Sequence, residues 1–521
     1  MGIGVVRFYP TGVDSEASTP RTKAFLLGIL LCVLLLYIPG TGRWVQGDDF
    51  FKYQRAIEQG FEIFRGEDFF FRPLENFVHA LNLSLVGPDS SILSLGVSLA
   101  GILISTCLVF AIARRLLPGR PVYPLLAAGY FALHSSAVSS VIQIDTISQQ
   151  YATVFALGGL LWSISGPARG RALHFAGLVT LWFLCLASKE TGFGLVCACP
   201  LAVLFITGSS PRWARTSNRN LLLLGMGASA LALAVYFLAR SASDADLSLD
   251  RLMRIPDGDR YQPTINPITI LGNTFQLVAV TSYIGSSLDF FPSIRLPRVL
   301  LSSSITLIAA VISLRGLSRL IWPGASVTEQ ERRSRWATLS ALLVLCGGSM
   351  VPAIALGKVS ELYSYALLPF VALALAYLWV MGGERLPDFG LAWRVAAWST
   401  VLLAAIWMAI GVKEKVDLAV RLSARSREIF VALDRQIGET PPGKQLTFCG
   451  EVTPSREPEY SIFFRSDPAL AAQMLPYLSR RHPQREIRMA PTPDCTPLPV
   501  GPRKSPNSWR PRHDSNVRHP V

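Results

Sequence analysis

The sequence predicts an all-α polytopic membrane protein with about eleven transmembrane helices and a small external α/β appendage at its C-terminal end. Three observations predict it. Half of the 521 residues are hydrophobic and only 16% are charged, with a mean hydropathy of +0.38, whereas a soluble chain carries about a quarter charged residues. The apolar residues fall in long blocks, and a block of about 20 spans the roughly 30 Å hydrocarbon core as a helix. Helices cross lipid because each satisfies its own backbone hydrogen bonds. Lys and Arg also gather at alternate block ends, as the positive-inside pattern requires.

The blocks lie near residues 24–40, 90–113, 121–140, 149–166, 173–187, 190–208, 220–239, 297–314, 337–356, 361–381 and 391–412. Residues 173–208 are almost continuously apolar. As one helix they would run about 54 Å, far beyond the membrane. Lys189 and Glu190 are the charges inside that run, and burying either at mid-bilayer costs several kcal/mol. The run therefore folds back at Ser188-Lys189-Glu190.

Arg21 and Lys23 precede the first block. Arg114, Arg115, Arg120, Arg169, Arg171, Arg212, Arg215, Arg219, Arg315, Arg319, Arg332, Arg333 and Arg335 flank later ones. With eleven spans all fall on one side, which predicts a cytoplasmic N-terminus, an external C-terminus and a bacterial inner (plasma) membrane location. The expected domains are a cytoplasmic leader at 1–23, a transmembrane core at 24–412 with external loops 41–89 and 240–296, an appendage at 413–490 and a disordered tail at 491–521. Residues 1–20 are polar and no A-x-A type site follows the first block, so that block reads as a retained anchor. The net charge of +14 reflects topology and the basic tail. No nucleic-acid partner is expected, since no basic patch interleaved with aromatics accompanies it.

The external loops hold the candidate chemistry. The first reads Gly47-Asp48-Asp49-Phe50, followed by an amphipathic stretch in which Phe50, Tyr53, Ile57, Phe61 and Phe64 recur near helical spacing. Asp48 and Asp49 read either as a solvated loop or as an acidic pair placed for catalysis. Arg72, between Phe71 and Pro73, reads as an interface anchor. Glu67-Asp68 reads as surface charge, or as carboxylates for an acceptor or a divalent cation held with Asp48 or Asp49. In the loop 240–296, residues 264–285 read as a re-entrant or interfacial helix. His134 reads as an interhelical hydrogen-bonding residue or a catalytic one.

Six cysteines, Cys32, Cys107, Cys185, Cys197, Cys199 and Cys346, read as small buried hydrophobes. Cys449 and Cys495 stand apart in the external segment as a disulfide candidate. In the appendage, strands are expected at 444–449, 460–464 and 487–489 around a helix at 468–479. No glycine-rich phosphate loop, H-E-x-x-H or nucleophile elbow occurs.

Four segments, taken in order, resemble the bacterial GT-C-type membrane glycosyltransferases related to protein O-mannosyltransferases and to the TPR-bearing transmembrane proteins. They are Gly47-Asp48-Asp49-Phe50 with Phe71-Arg72-Pro73-Leu74-Glu75-Asn76 and Ala80-Leu81-Asn82; Phe131-Ala132-Leu133-His134 with Val138 and Val141; Ser188-Lys189-Glu190; and Glu361-Leu362-Tyr363-Ser364-Tyr365 to Pro369. They look like the family's first-loop acidic motif, its "ALHP…EAV…W…GR.DLL" run, its "SKE" turn and its "ERYLYLP" segment, and they span residues 24–412. The chain departs from the pattern at Ser139, Gln143, Gln149 and Leu362, where relatives commonly have Glu, Trp, Asp and Arg. It has no TPR array.

The resemblance implies transfer of a sugar from a polyprenyl-phosphate donor to a lipid, glycan or protein acceptor at the outer face of the bilayer. Asp49 or Asp48 would be the general base, worth about 10²–10⁴-fold. Arg72, Lys189 and Lys358 would hold the donor phosphate. Glu190, Glu361 and Tyr363 are further candidates by their place in the matching motifs. Two alternatives stand beside this reading: a transporter or lipid flippase, and an inactive relative that acts as an assembly partner. Repeated halves or mid-span charges, the marks of a transporter, are not seen.

Overall fold

The computed structural model describes residues 20–45, 49–62, 64, 71–87, 90–117, 119–165, 170–208, 215–243, 266–290, 296–322, 327–356, 361–383, 391–449, 467–490 and 496. The apolar blocks form helices, the one at 121–140 in two pieces. The helices of these blocks are α1 (Pro20–Thr41), α4 (Ile92–Leu116), α5 (Val122–Leu133), α7 (Ile147–Ser165), α8 (Arg171–Ser188), α9 (Gly192–Gly208), α10 (Arg215–Ser241), α12 (Leu296–Ile321), α13 (Glu329–Ile354), α14 (Ser364–Gly383) and α15 (Leu391–Glu439). Between them lie α2 (Asp49–Gln59), α3 (Pro73–Leu85), α6 (Ala137–Ile142) and α11 (Pro267–Ser282). Among the described residues seven helices are long and apolar enough to cross a membrane, and two shorter apolar ones are Val122–Leu133 and Gly192–Thr207. Their outward faces carry exposed large hydrophobics such as Leu35, Leu238, Leu314 and Leu343, which only lipid can cover without cost. The chain is an integral membrane protein.

The block at 121–140 is not one helix. α5 ends at Leu133, His134 turns to an extended conformation (φ −74°, ψ 127°), and α6 restarts at Ala137. Ser135 and Ser136 follow His134, and small hydroxyl residues offer the backbone local alternatives to the helix ladder. α11, the helix expected within 264–285, has 16 residues, or about 24 Å. Asn266 caps it, accepting from the Ile268 amide at 3.0 Å.

The contacts divide the chain into two compact units: Met1–Arg43 with Lys52–Val420, and Trp44–Phe51 with Arg421–Val521. In the first, helices approach through small residues. A Cβ on Gly194 of α9 would stand 1.9 Å from the Gly348 carbonyl oxygen of α13, and one on Gly348 would stand 2.4 Å from Ala198 Cβ. Close backbone approach of this kind is how membrane helices gain dispersion energy without a hydrophobic drive.

The second unit contains the end of α15, strand β1 (Gln445–Cys449), helix α16 (Asp467–Arg481) and strand β2 (Glu486–Ala490). β1 and β2 pair in parallel from Gln445↔Glu486 to Cys449↔Ala490, a pairing that needs the α16 crossover. Ile429, Leu433 and Ile437 bury one face of α15, and Phe448, Met474 and Leu478 are buried with them. These strands and this helix match the sequence expectation. The expected strand at 460–464 and residues 1–19 of the expected leader at 1–23 lie outside the described residues, while its last four residues open α1. So does the tail from 491, except for Thr496, which bridges to Phe448.

Candidate functional site

The turn between α8 and α9 forms where the length of the apolar run demanded it. Lys189 leaves α8 in an extended conformation (φ −160°, ψ 151°), and the Gly192 amide donates to its carbonyl at 2.9 Å. A Cβ on Gly192 would meet Cys185 Sγ at 2.8 Å and its carbonyl oxygen at 2.9 Å, so only glycine lets α9 start this close to α8. The turn thereby holds Lys189 and Glu190 at the ends of two apolar helices.

Arg72 caps the start of α3 ahead of Pro73, which keeps it out of the helical region (φ −129°, ψ 64°). Its guanidinium reaches Glu190 with two bonds, Nε to Oε1 at 3.3 Å and Nη2 to Oε2 at 2.7 Å. Nη1 stands 3.7 Å from Glu75 Oε2. Glu75 is fully buried and takes Lys52 Nζ at 3.0 Å, with His79 Nε2 at 3.8 Å one turn along α3. Burial raises the Glu75 carboxyl, but Lys52, the nearby His79 and Arg72 outweigh it and hold the group well below the usual carboxylate range. Burial likewise raises Glu190, and Arg72 brings it below its ordinary value.

Lys189 is 8% exposed. Its ammonium lies 5.6 Å from the centre of the Tyr363 ring, and among the described residues it makes no ion pair or hydrogen bond. Burial pushes it down, Arg72 pushes further, and Glu190, Glu75 and Asp145 pull it back, leaving it at about 8. A buried ammonium over a ring and beside a guanidinium can take up an anion.

Asp145 is the acid that the sequence reading overlooked. It sits in the 3-10 turn Ile144–Thr146 between α6 and α7, shaped by Thr146 Oγ1 donating to the carbonyls of Ser140 and Gln143, both at 2.8 Å. From Ala137 to Gln150 every residue but Asp145 is buried. A sequence cue existed, since Asp145 is the single charged residue between Arg120 and Arg169. Next to it, Gln149 accepts from Thr191 Oγ1 at 3.4 Å, while its buried Nε2 has no hydrogen-bond partner.

Glu361 and Tyr363 share one 3-10 turn and serve two clusters. Tyr363 faces Lys189. Glu361, 4% exposed, pairs with Lys415 through Oε1 and accepts from Ser139 Oγ at 3.1 Å through Oε2. Lys415 is fully buried and also donates to the Ser135 carbonyl at 3.0 Å. Sequence reasoning missed Lys415 because nothing in its own neighbourhood marks it as buried. His134 stands apart from the Lys189 cluster. Its Nδ1 contacts Ser136 Oγ at 2.8 Å and accepts the Ser136 amide at 3.2 Å, and its ring lies 5.1 Å from that of Tyr130.

Within the first unit the fold therefore brings together Arg72, Lys189, Glu190 and Tyr363, with Glu361 next in the chain. Asp49 belongs to the second unit, at the first residue of α2, and is 1% exposed. Asp48, Glu67, Asp68, Lys358 and Cys495 lie outside the described residues. Cys449 ends β1. Among the described residues no three His, Cys, Asp or Glu side chains group as metal ligands.

No family model matches the chain, and no curated protein is similar to it. Two crystal structures of ArnT from Cupriavidus metallidurans are similar to it. The form bound to undecaprenyl phosphate aligns at 13% identity and a TM-score of 0.45, covering 91% of this chain and 90% of that one. The apo form aligns at 12% identity and a TM-score of 0.49, covering 90% of each.

Proposed function

We propose that this protein is a membrane glycosyltransferase that moves a sugar from a polyprenyl-phosphate-linked donor to an acceptor on the outer face of the membrane, with inversion. The observation that carries the reading is Lys189, a buried ammonium without a paired carboxylate among the described residues, next to the forked guanidinium of Arg72. In a bundle whose outer faces are apolar, such a cluster at helix ends suits a substrate with a lipid tail and an anionic head. The ordered motif segments supply the rest of the argument.

In this reading Lys189 and Arg72, with Lys358 as a third cation, bind the phosphate and stabilise the charge it gains on leaving. The acceptor hydroxyl attacks the anomeric carbon, the anomeric C–O bond to phosphate breaks, and the phosphate departs with the bonding pair. A carboxylate of the first loop, Asp49 or Asp48, takes the hydroxyl proton. Inversion needs one such base because phosphate is already a good leaving group. The arginine pattern supports an inner-membrane protein with the N-terminus inside.

The test compares cell-surface glycans and glycolipids by mass spectrometry in three strains: one lacking the protein, one carrying it intact, and one carrying Asp48→Asn with Asp49→Asn at equal membrane abundance. A sugar-sized mass that appears only with the intact chain is the expected result. Its return with the double variant would remove the first-loop acids from the chemistry. Identical glycans in the first two strains would remove the transferase reading itself.

A further inference from the structure

The acidic motif is flanked by two aromatic residues, and both are built into the C-terminal unit. Trp44 and Phe50 meet edge to face, with ring centres 5.3 Å apart and planes at 72°. Phe430 of α15 packs on both rings, 4.8 Å from Trp44 and 6.0 Å from Phe50 in a stacked arrangement. Tyr477 of α16 completes the group, 6.1 Å from Phe50 and 5.8 Å from Phe430.

The backbone is held as firmly as the rings. Ser423 Oγ accepts the Trp44 amide at 2.5 Å and donates to the Trp44 carbonyl at 2.9 Å. One hydroxyl therefore satisfies both polar groups of a single residue, a pairing that fixes the peptide planes on either side. One turn along α15, Ser426 Oγ donates to the Val45 carbonyl at 3.4 Å. Ser423 and Ser426 are 2% and 0% exposed, so water does not compete for these bonds.

We propose that the C-terminal unit is a positioning device for the first-loop acid: Ser423, Phe430 and Tyr477 are positioning residues that set where the Asp49 carboxylate points. The proposal rests on the function proposed above, in which Asp49 acts as base. Such a base must lie within hydrogen-bond reach of the acceptor hydroxyl, and a displacement near 1 Å can cost about 10²-fold in rate. The chain is held on either side of the motif, by rings at Trp44 and Phe50 and by serine hydroxyls at Trp44 and Val45.

The test uses the full chain with Ser423→Ala, Tyr477→Ala, the ring-retaining Tyr477→Phe and Asp49→Asn. Hydrogen–deuterium exchange followed by mass spectrometry reads the peptide that covers residues 44–51, and steady-state transfer from a polyprenyl-phosphate sugar reads kcat and KM. Ser423→Ala and Tyr477→Ala are expected to speed exchange in 44–51 while helices α7 to α9 stay protected. They should lower kcat about 10²-fold with KM for the lipid donor nearly unchanged. Tyr477→Phe should restore both readouts. Combined with Asp49→Asn, Tyr477→Ala should add almost nothing, because both act through one carboxylate.

Unchanged exchange in 44–51, a loosened loop with normal kcat, or fully additive losses would each overturn the proposal. If the intact chain transfers no sugar, the function proposed above fails, and the exchange experiment still decides whether the unit grips the loop.

Discussion

Arg72 meets Glu190 edge to edge, with Nη2 2.7 Å from one carboxylate oxygen and Nε 3.3 Å from the other. A lysine can supply the charge of that contact but not its fork. Arg72→Lys is therefore expected to keep the protein folded and to weaken donor binding, seen as a raised KM. Arg72→Ala should in addition destabilise by roughly 1–3 kcal/mol, since it leaves the Glu190 carboxylate short of its partner. Thermal unfolding in detergent, measured beside donor titration, separates the two effects.

Lys189 gives a pH signature. Its folded-state value near 8 lies below the ordinary 10.5, so the folded protein holds this proton less tightly than the unfolded chain. The resulting cost to stability is fully present below about pH 8 and is relieved as pH rises from about 8 towards 10.5. Donor binding should run the opposite way and weaken above pH 8 as the cation is lost. Lys189→Arg is expected to abolish that loss, because a guanidinium keeps its charge. KM for the donor measured from pH 6.5 to 9.5 in both proteins checks it.

The buried pair of Glu361 and Lys415 should show strong coupling. Lys415→Met leaves the Glu361 carboxylate buried without its cation, at about 3–5 kcal/mol. Replacing both, as Glu361→Gln with Lys415→Met, should recover much of that loss. A double-mutant cycle on unfolding midpoints gives the coupling, and simple additivity would show that the pair is solvated.

Gly348 offers a packing test. A methyl group there meets Ala198 Cβ and the Gly194 carbonyl at 2.4 and 2.7 Å, neither of which is the end of a flexible side chain. Gly348→Ala is expected to cost about 1–3 kcal/mol by forcing α9 and α13 apart. Gly28→Ala, with open space around it, serves as the control and should be near neutral.

Much of the helical layout was legible because a membrane helix is a local property: about 20 apolar residues state it wherever they occur. The fold-back at Lys189 was legible for the same reason, through length alone. The break at His134 was not, since its neighbours are apolar enough to pass for a continuous span. Lys415 could be read only with its partner 54 residues away. The grip of Ser423 on Trp44 spans 379 residues, and no local pattern announces a hydroxyl that will meet a distant backbone. Asp145 was visible as a lone charge.

The glycine seam between α9 and α13 bears on how the protein is made. α9 emerges more than a hundred residues before the helix that fills its groove, which at ~5–20 residues/s is on the order of ten to thirty seconds of synthesis. During that interval the groove around Gly194 has no protein partner. It must be occupied by acyl chains or by the insertion machinery, and that occupant has to leave when α13 arrives. The seam between α9 and α13 therefore closes late, and the arrival of α13 sets the moment at which the turn at the head of α9 becomes fixed.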